Sequence, residues 1–200
     1  MKNINKIILL STLTSSIVFS SEISIDSVGF NLGVSNTPYS QENPKGSITL
    51  GNTPDKQLNS YEVYTNLKSV YTNKTLKPYM SYTYSYNKDI KNQYILIGLS
   101  KYYTHKELKL YAGLLTGYGE LKYKYNPLNS SKDNDYKANS LILGVQTGVN
   151  LPLSPSIALN VNAKYLYHDY KTSLEPNDTT KASITYKYTS SLGVGLLYKF

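Results

Sequence analysis

Apolar and polar residues alternate along most of this chain, and the alternation is most regular over residues 182–200. One face of that stretch carries tyrosines at its start, Leu192, Val194 and Leu196 in its middle, and Tyr198 and Phe200 at its end. A period of two residues places side chains on opposite faces of a β-strand. We therefore predict a strand that ends with the chain and has one apolar face.

The same period recurs in seven further segments, which are separated by polar, Pro- and Gly-containing connections. Strands are predicted near residues 23–34, 61–68, 78–86, 93–103, 107–122, 141–151, 157–168 and 182–200. Long loops are predicted at 35–60, 126–138 and 169–181, a shorter polar loop at 87–92, and turns at 72–77, 104–106 and 152–156. Eight strands with connections of this kind predict an all-β fold, an eight-stranded antiparallel up-and-down barrel.

Aromatic residues recur at matching heights on the apolar faces of these strands, as in the girdles at membrane interfaces. Such a girdle is predicted at one end of the barrel from Tyr84, Tyr86, Tyr118, Tyr165, Tyr167, Tyr186 and Tyr188. A soluble lipocalin-like barrel would show the same alternation with its apolar face turned inward. Because such a barrel has no reason to align its tyrosines, we predict a transmembrane β-barrel.

The first twenty residues have the order of a secretory signal peptide. Lys2 and Lys6 precede an apolar run, and small residues follow at Ser20 and Ser21. We predict a signal peptide at residues 1–20 and a barrel domain at residues 21–200. No other apolar run approaches the roughly 20 residues of a membrane-spanning helix, so a helical membrane protein is excluded.

The C-terminal strand resembles the last strand of bacterial outer-membrane β-barrels, which the barrel-assembly machinery reads as an insertion signal. The residues that match this signal are Leu192, Val194, Leu196, Tyr198 and Phe200. Residues 21–200 as a whole resemble the small porin-family, opacity-type and OmpA-like barrels. The resemblance implies a Gram-negative cell outer membrane, a structural or surface-interaction role, and no catalysis. We expect no periplasmic domain after Phe200.

Composition narrows the choice of partners. The chain has 21 lysines and no arginine, and its 13 acidic residues leave a net charge of +8. It has no cysteine. The lysines are scattered, so nucleic-acid binding is not expected, whereas attraction to outer-membrane lipid and lipopolysaccharide is. An extracellular ligand could bind the loops 35–60, 126–138 and 169–181.

Polar side chains on the inner face predict a lumen network. Its members are Glu62, Lys68, Lys109, Gln146, Lys164 and Lys187. The interior of an eight-stranded barrel is just wide enough for side chains to fill it. We expect Glu62 to pair with at least one of Lys109, Lys164 and Lys187. A packed polar core is favoured over the alternative, a narrow porin or a passage for small molecules.

Catalysis and cofactors find little support in the sequence. His168, Ser173 and Glu175 could form the triad of a lipid-modifying outer-membrane enzyme, but two of the three lie in a predicted loop. Asp133, Asn134 and Asp135 offer a weak cation site at best. We expect no cofactor and no metal.

Overall fold

The chain folds into a closed antiparallel β-barrel of eight strands with one short additional strand. The structure is a computed structural model, and it describes residues 24–42, 56–68, 75–123, 136–177 and 180–200. The strands are β1 (Ile25–Asn36), β2 (Tyr39–Glu42), β3 (Gln57–Leu67), β4 (Leu76–Tyr86), β5 (Ile90–His105), β6 (Leu108–Tyr123), β7 (Tyr136–Pro152), β8 (Ile157–Asn177) and β9 (Thr180–Lys199).

Each of the eight barrel strands pairs with its sequence neighbours, and β1 pairs with β9 to close the sheet. The closing ladder is continuous from Ser27–Lys199 to Asn36–Ser190. The predicted eight-stranded up-and-down barrel is therefore confirmed. No helix in the described part of the chain is long and apolar enough to cross a membrane.

The two ends of the barrel differ in their connections. One end holds the start of β1, the end of β9 and the connections β3–β4, β5–β6 and β7–β8. Outer-membrane barrels place their short turns on the periplasmic side and their longer loops outside, so we call this end periplasmic and the other end extracellular. The tight β5–β6 turn at the periplasmic end places Lys106 at a φ of 54°, in the left-handed region.

Two predicted connections are largely strand. The loop predicted at 87–92 shrinks to three residues because β5 begins at Ile90, and the Asn87 side chain accepts hydrogen bonds from the backbone N–H groups of Asp89 and Ile90. The loop predicted at 169–181 is wrong, since β8 extends to Asn177 and β9 starts at Thr180. Its polar residues hid a hairpin that pairs beyond the barrel wall.

That hairpin and β2 form a small sheet at the extracellular end of the barrel, and its side chains Tyr170, Ile184 and Tyr186 pack into the core. β7 follows β8 only as far as the pair Ile142–His168, whereas β9 stays paired with β8 to the pair Asn177–Thr180. β2 adds to the other edge of β9, from Tyr39–Tyr186 to Glu42–Ser183. Nine residues of β8 beyond His168 correspond to about 30 Å of strand. The extracellular rim therefore carries a three-stranded extension, ordered β8–β9–β2.

Candidate functional site

Apolar side chains cover the outside of the barrel wall. Leu32, Val63, Ile97, Leu114, Leu143 and Val194 point away from the lumen and are between 47% and 71% exposed. A soluble protein buries such residues, whereas a barrel in a bilayer turns them to lipid. Because the apolar face points outward, the soluble, inverted barrel is ruled out and the wall is of the transmembrane kind.

Tyrosines frame this apolar belt at its extracellular edge. Six of the seven predicted girdle residues point outward, namely Tyr84, Tyr86, Tyr118, Tyr165, Tyr167 and Tyr188. Some of them stack in pairs, with ring centroids 5.5 Å apart for Tyr84–Tyr86 and for Tyr165–Tyr188. At the periplasmic edge, the rings of Tyr198 and Phe200 meet edge to face at 5.1 Å.

Tyr186 was predicted on this girdle, and that prediction is wrong. The β8–β9 ladder slips by one residue between the pairs Tyr167–Tyr188 and Tyr170–Tyr186. A slip of one residue moves the following side chains to the other face of the sheet. Tyr186 is consequently buried in the lumen, and Lys187, which was predicted in the lumen, is exposed.

An ion pair lies at the centre of the lumen. The ammonium of Lys164 on β8 contacts the carboxylate of Glu62 on β3, across the barrel, and both side chains are less than a tenth exposed. The lysine Nζ also donates to Tyr79 Oη at 2.8 Å. The expected pairing of Glu62 with a lumen lysine is therefore confirmed, with Lys164 as its partner.

Neutral donors complete the coordination of Glu62. Its oxygens accept hydrogen bonds from Tyr79 Oη at 2.6 Å, Asn31 Nδ2 at 2.9 Å and Asn162 Nδ2 at 3.3 Å. The donors come from β4, β1 and β8, so one carboxylate joins strands on opposite sides of the barrel. A cavity of about 20 Å³ beside this cluster has room for one water molecule.

The remaining predicted network residues separate into two groups. Gln146 is buried and donates to Ser100 Oγ at 2.8 Å, so it belongs to the polar interior. Lys68 and Lys109 follow the inward phase of β3 and β6 but are exposed at the periplasmic mouth, too near the strand ends to reach Glu62. At that mouth, Lys77 Nζ instead forms an ion pair with Asp26 at 2.5 Å.

An apolar cluster fills much of the extracellular half of the lumen, beside buried polar residues such as Thr37, Ser85 and Asn92, and the sequence reasoning missed it. Its fully buried side chains are Leu58, Ile90, Leu96, Leu121, Tyr123, Ile142, Leu166, Tyr170, Ile184 and Tyr186. They form one cluster. The signal was present in the sequence, because Leu96, Ile142 and Leu166 occupy the inward phase of strands whose outward phase is also apolar.

His168 lies buried where the β8–β9 ladder slips. Its Nδ1 lies 3.0 Å from the Tyr186 carbonyl oxygen, and its Nε2 lies 2.8 Å from Thr189 Oγ1. Because a carbonyl only accepts, Nδ1 carries the proton and Nε2 accepts from Thr189, whose oxygen in turn accepts from Thr37 at 2.9 Å. Both ring nitrogens are thus engaged in structural hydrogen bonds.

This geometry gives no support to the triad of His168, Ser173 and Glu175 that the sequence analysis considered and set aside. The side chains of Ser173 and Glu175 lie outside the described residues, as do Asp133, Asn134, Asp135 and the predicted signal peptide. Within the parts of the chain that the structure describes, no cluster of three or more His, Asp or Glu side chains could hold a metal ion.

Comparison with known proteins shows the class of barrel. No protein-family model and no curated protein sequence matches the chain. Among solved structures, it is similar to Neisserial surface protein A, with 18% identity, 90% of this chain and 98% of that chain covered, and a TM-score of 0.55. It is also similar to the outer membrane protein OprG from Pseudomonas aeruginosa, with 13% identity, 88% of this chain and 96% of that chain covered, and a TM-score of 0.54.

Similarity at this level of identity concerns the fold. The chain has the fold of the small eight-stranded outer-membrane β-barrels, so the predicted class is confirmed. The outer-membrane location predicted from the sequence agrees with the proteins that share this fold.

Proposed function

We propose that this chain, an eight-stranded barrel of the outer-membrane type, acts as a sealed structural and surface-interaction protein without catalysis. Its barrel anchors the protein in the cell outer membrane, and its extracellular end presents the sheet β8–β9–β2 and the connecting loops to the surroundings. Residues 1–20 direct its export, and its last strand is the segment that the barrel-assembly machinery recognises.

The observation that carries the proposal is the filled lumen. The Glu62–Lys164 cluster joins opposite walls at mid-barrel, and a layer of buried leucine, isoleucine and tyrosine side chains lies above it. An ion that crosses would have to displace both layers. Since an ion would lose much of its hydration among these tightly packed and largely apolar side chains, this arrangement favours a closed barrel over a narrow porin.

Surface interaction is supported by the β8–β9–β2 extension at the extracellular end. There β8 stays paired with β9 for nine residues after it has separated from β7 at the pair Ile142–His168. Outer-membrane barrels carry their longer loops on the extracellular side, where they meet partners. We include in the proposal that these loops bind an extracellular ligand. Such a ligand can be sought by comparing the intact protein with a variant whose β8–β9 extension is shortened.

Planar-bilayer recording tests the sealed barrel directly. The refolded protein is inserted into bilayers, and insertion is verified independently by heat-modifiable migration and protection from protease. We expect inserted protein with no unitary current steps. Steady unitary conductance from verified insertions would overturn the proposal in favour of the narrow porin.

A further inference from the structure

Three lysines stand side by side on the outer face of the barrel. Lys91 on β5 pairs directly with Lys122 on β6, and Lys122 pairs directly with Lys137 on β7. Their strand neighbours Asn92, Leu121 and Ala138 are buried in the lumen. The three ammonium groups therefore project outward together from one continuous piece of the sheet, which we call the lysine row.

This row is unfavourable unless an anion binds it. Like charges at directly opposed positions of antiparallel strands repel each other. One carboxylate contacts the row, since Glu120 Oε1 lies 3.2 Å from Lys122 Nζ and also accepts from Gln93 Nε2 at 2.8 Å. Lys91 and Lys137 have no ion pair with any residue that the structure describes. Among the residues that the structure describes, these two positive charges have no carboxylate partner.

The row lies just beyond the apolar belt, at the height of lipid headgroups. Four residues before Lys122 on the same strand, Tyr118 is 55% exposed, and its cross-strand neighbour Leu141 is 76% exposed. Four residues of strand span about 13 Å, or about 10 Å of height at the usual strand tilt. A lysine stem can lie along the wall and shorten that distance further.

Within the described strands, lysines pair directly with one another only on β5, β6 and β7, whereas the exposed Lys171 at the extracellular end of β8 pairs with Thr185. On the opposite side, the outward positions at the extracellular ends of β1 and β9 are Asn36 and Ser190, which pair with each other. Charges that served only solubility would not need to stand directly opposite one another. The direct opposition of three lysines indicates a defined anionic ligand at this row.

We propose that the lysine row binds the phosphate groups of a phosphorylated outer-leaflet lipid, whose acyl chains pack on the apolar wall below. The proposal rests on the proposed function, because it requires this end of the barrel to meet the outer leaflet. Each ammonium donates to phosphate oxygens, and the bound phosphates offset the repulsion between Lys91, Lys122 and Lys137. The apolar surface around Tyr118 and Leu141 holds the acyl chains.

The test titrates the refolded barrel, in zwitterionic micelles, with deep-rough lipopolysaccharide that carries both lipid A phosphates. Binding is read from the rise in unfolding temperature and from the shift of the native band. The variant Lys91→Gln/Lys122→Gln/Lys137→Gln is expected to bind about a hundredfold more weakly, since each lysine near an anionic surface contributes about fivefold. Its folding is checked by far-UV circular dichroism and heat-modifiable migration.

A matched variant controls for net charge. Lys68→Gln/Lys101→Gln/Lys106→Gln removes the same three charges from exposed positions at the periplasmic end, and we expect it to bind as the unmodified barrel does. Equal binding by the folded row variant, or no binding by the unmodified barrel, would overturn the proposal.

Two further ligands separate the sources of phosphate. Dephosphorylated lipopolysaccharide is expected to bind as weakly to the unmodified barrel as intact lipopolysaccharide binds to the row variant. Equal binding of both lipids would refute a phosphate site. Inorganic pyrophosphate at the same concentration should not compete, and competition would assign the row to a soluble anion instead. Failure of these tests is distinct from failure of the sealed barrel, which bilayer conductance reports.

Discussion

Replacing Lys164 with methionine should destabilise the barrel strongly, because it leaves the Glu62 carboxylate in the lumen without its cationic partner. The change keeps most of the side-chain volume and removes the ammonium that contacts Glu62. The carboxylate retains the three neutral donors Asn31, Tyr79 and Asn162. Removing one partner of a buried ion pair typically costs about 3–5 kcal/mol.

Proton uptake sets an upper limit on that cost. Glu62 can escape the buried charge by becoming protonated, and protonating a carboxyl of ordinary pKa of about 4.3 at pH 7 costs about 3.7 kcal/mol. We therefore expect Lys164→Met to lower the free energy of unfolding by about 3–4 kcal/mol at pH 7. Lowering the pH to 5 should reduce the loss by about 2–3 kcal/mol, since the proton becomes easier to supply.

The double variant Glu62→Gln/Lys164→Met isolates the charge term. It removes both charges and leaves an amide that can still accept from Tyr79, so its unfolding free energy should lie within about 1.5 kcal/mol of the unmodified barrel. A double-mutant cycle should thus give a coupling energy of at least about 2 kcal/mol. Lys101→Met, on an exposed outward-facing lysine, is the control and should change stability by less than about 0.5 kcal/mol.

Equilibrium unfolding in urea, with the barrel in lipid vesicles, measures these differences. The chain has no tryptophan, so far-UV circular dichroism and heat-modifiable migration report folding. The reasoning is refuted if folded Lys164→Met is within about 1 kcal/mol of the unmodified barrel at pH 7. It is also refuted if the double variant is as unstable as the single one.

Four further outcomes are expected. Replacing His168 with leucine should cost about 1–3 kcal/mol in the same unfolding assay, because its partners Thr189 and the Tyr186 carbonyl lose their hydrogen bonds, whereas equal stability would contradict this. Gly29→Ala should cost about 1–3 kcal/mol because a Cβ there would overlap the Tyr64 ring, and a neutral result would show that the ring moves aside freely. In zwitterionic micelles without anionic lipid, Lys91→Gln alone should raise the unfolding free energy by a few tenths of a kcal/mol, and a loss of stability would count against repulsion in the lysine row. An epitope inserted in the β8–β9 connection should be accessible on intact cells, whereas one in the β5–β6 turn should require permeabilisation, and the reverse pattern would invert the orientation.

The eight strands and their inside–outside phase could be read from the chain because a bilayer imposes a repeating rule on it. Every lipid-facing position must be apolar and every backbone group must be paired, so Leu192, Val194 and Leu196 could be assigned outward from the sequence. The same rule assigned Glu62 and Lys164 inward. The wall is therefore specified locally, two residues at a time.

The sequence failed where pairing between strands departs from that rule. The slip opposite Tyr167–Tyr170 exchanged the faces of Tyr186 and Lys187, and no local pattern announces it, because a bulge depends on which residues two strands bring together. The extension of β8 to Asn177 was hidden for a related reason. Outside the membrane a strand needs no apolar face toward lipid, so the sequence of a paired strand there resembles that of a polar loop.

The sequence by itself determined which face of each strand points to lipid and which points to the lumen. It therefore determined a closed barrel whose apolar surface meets lipid. Tertiary structure alone decided which lysine reaches Glu62, because residues 102 positions apart meet only when the strands close into a ring. It also decided that Lys91, Lys122 and Lys137 stand in one row, since registers between strands, and not any local pattern, bring them side by side.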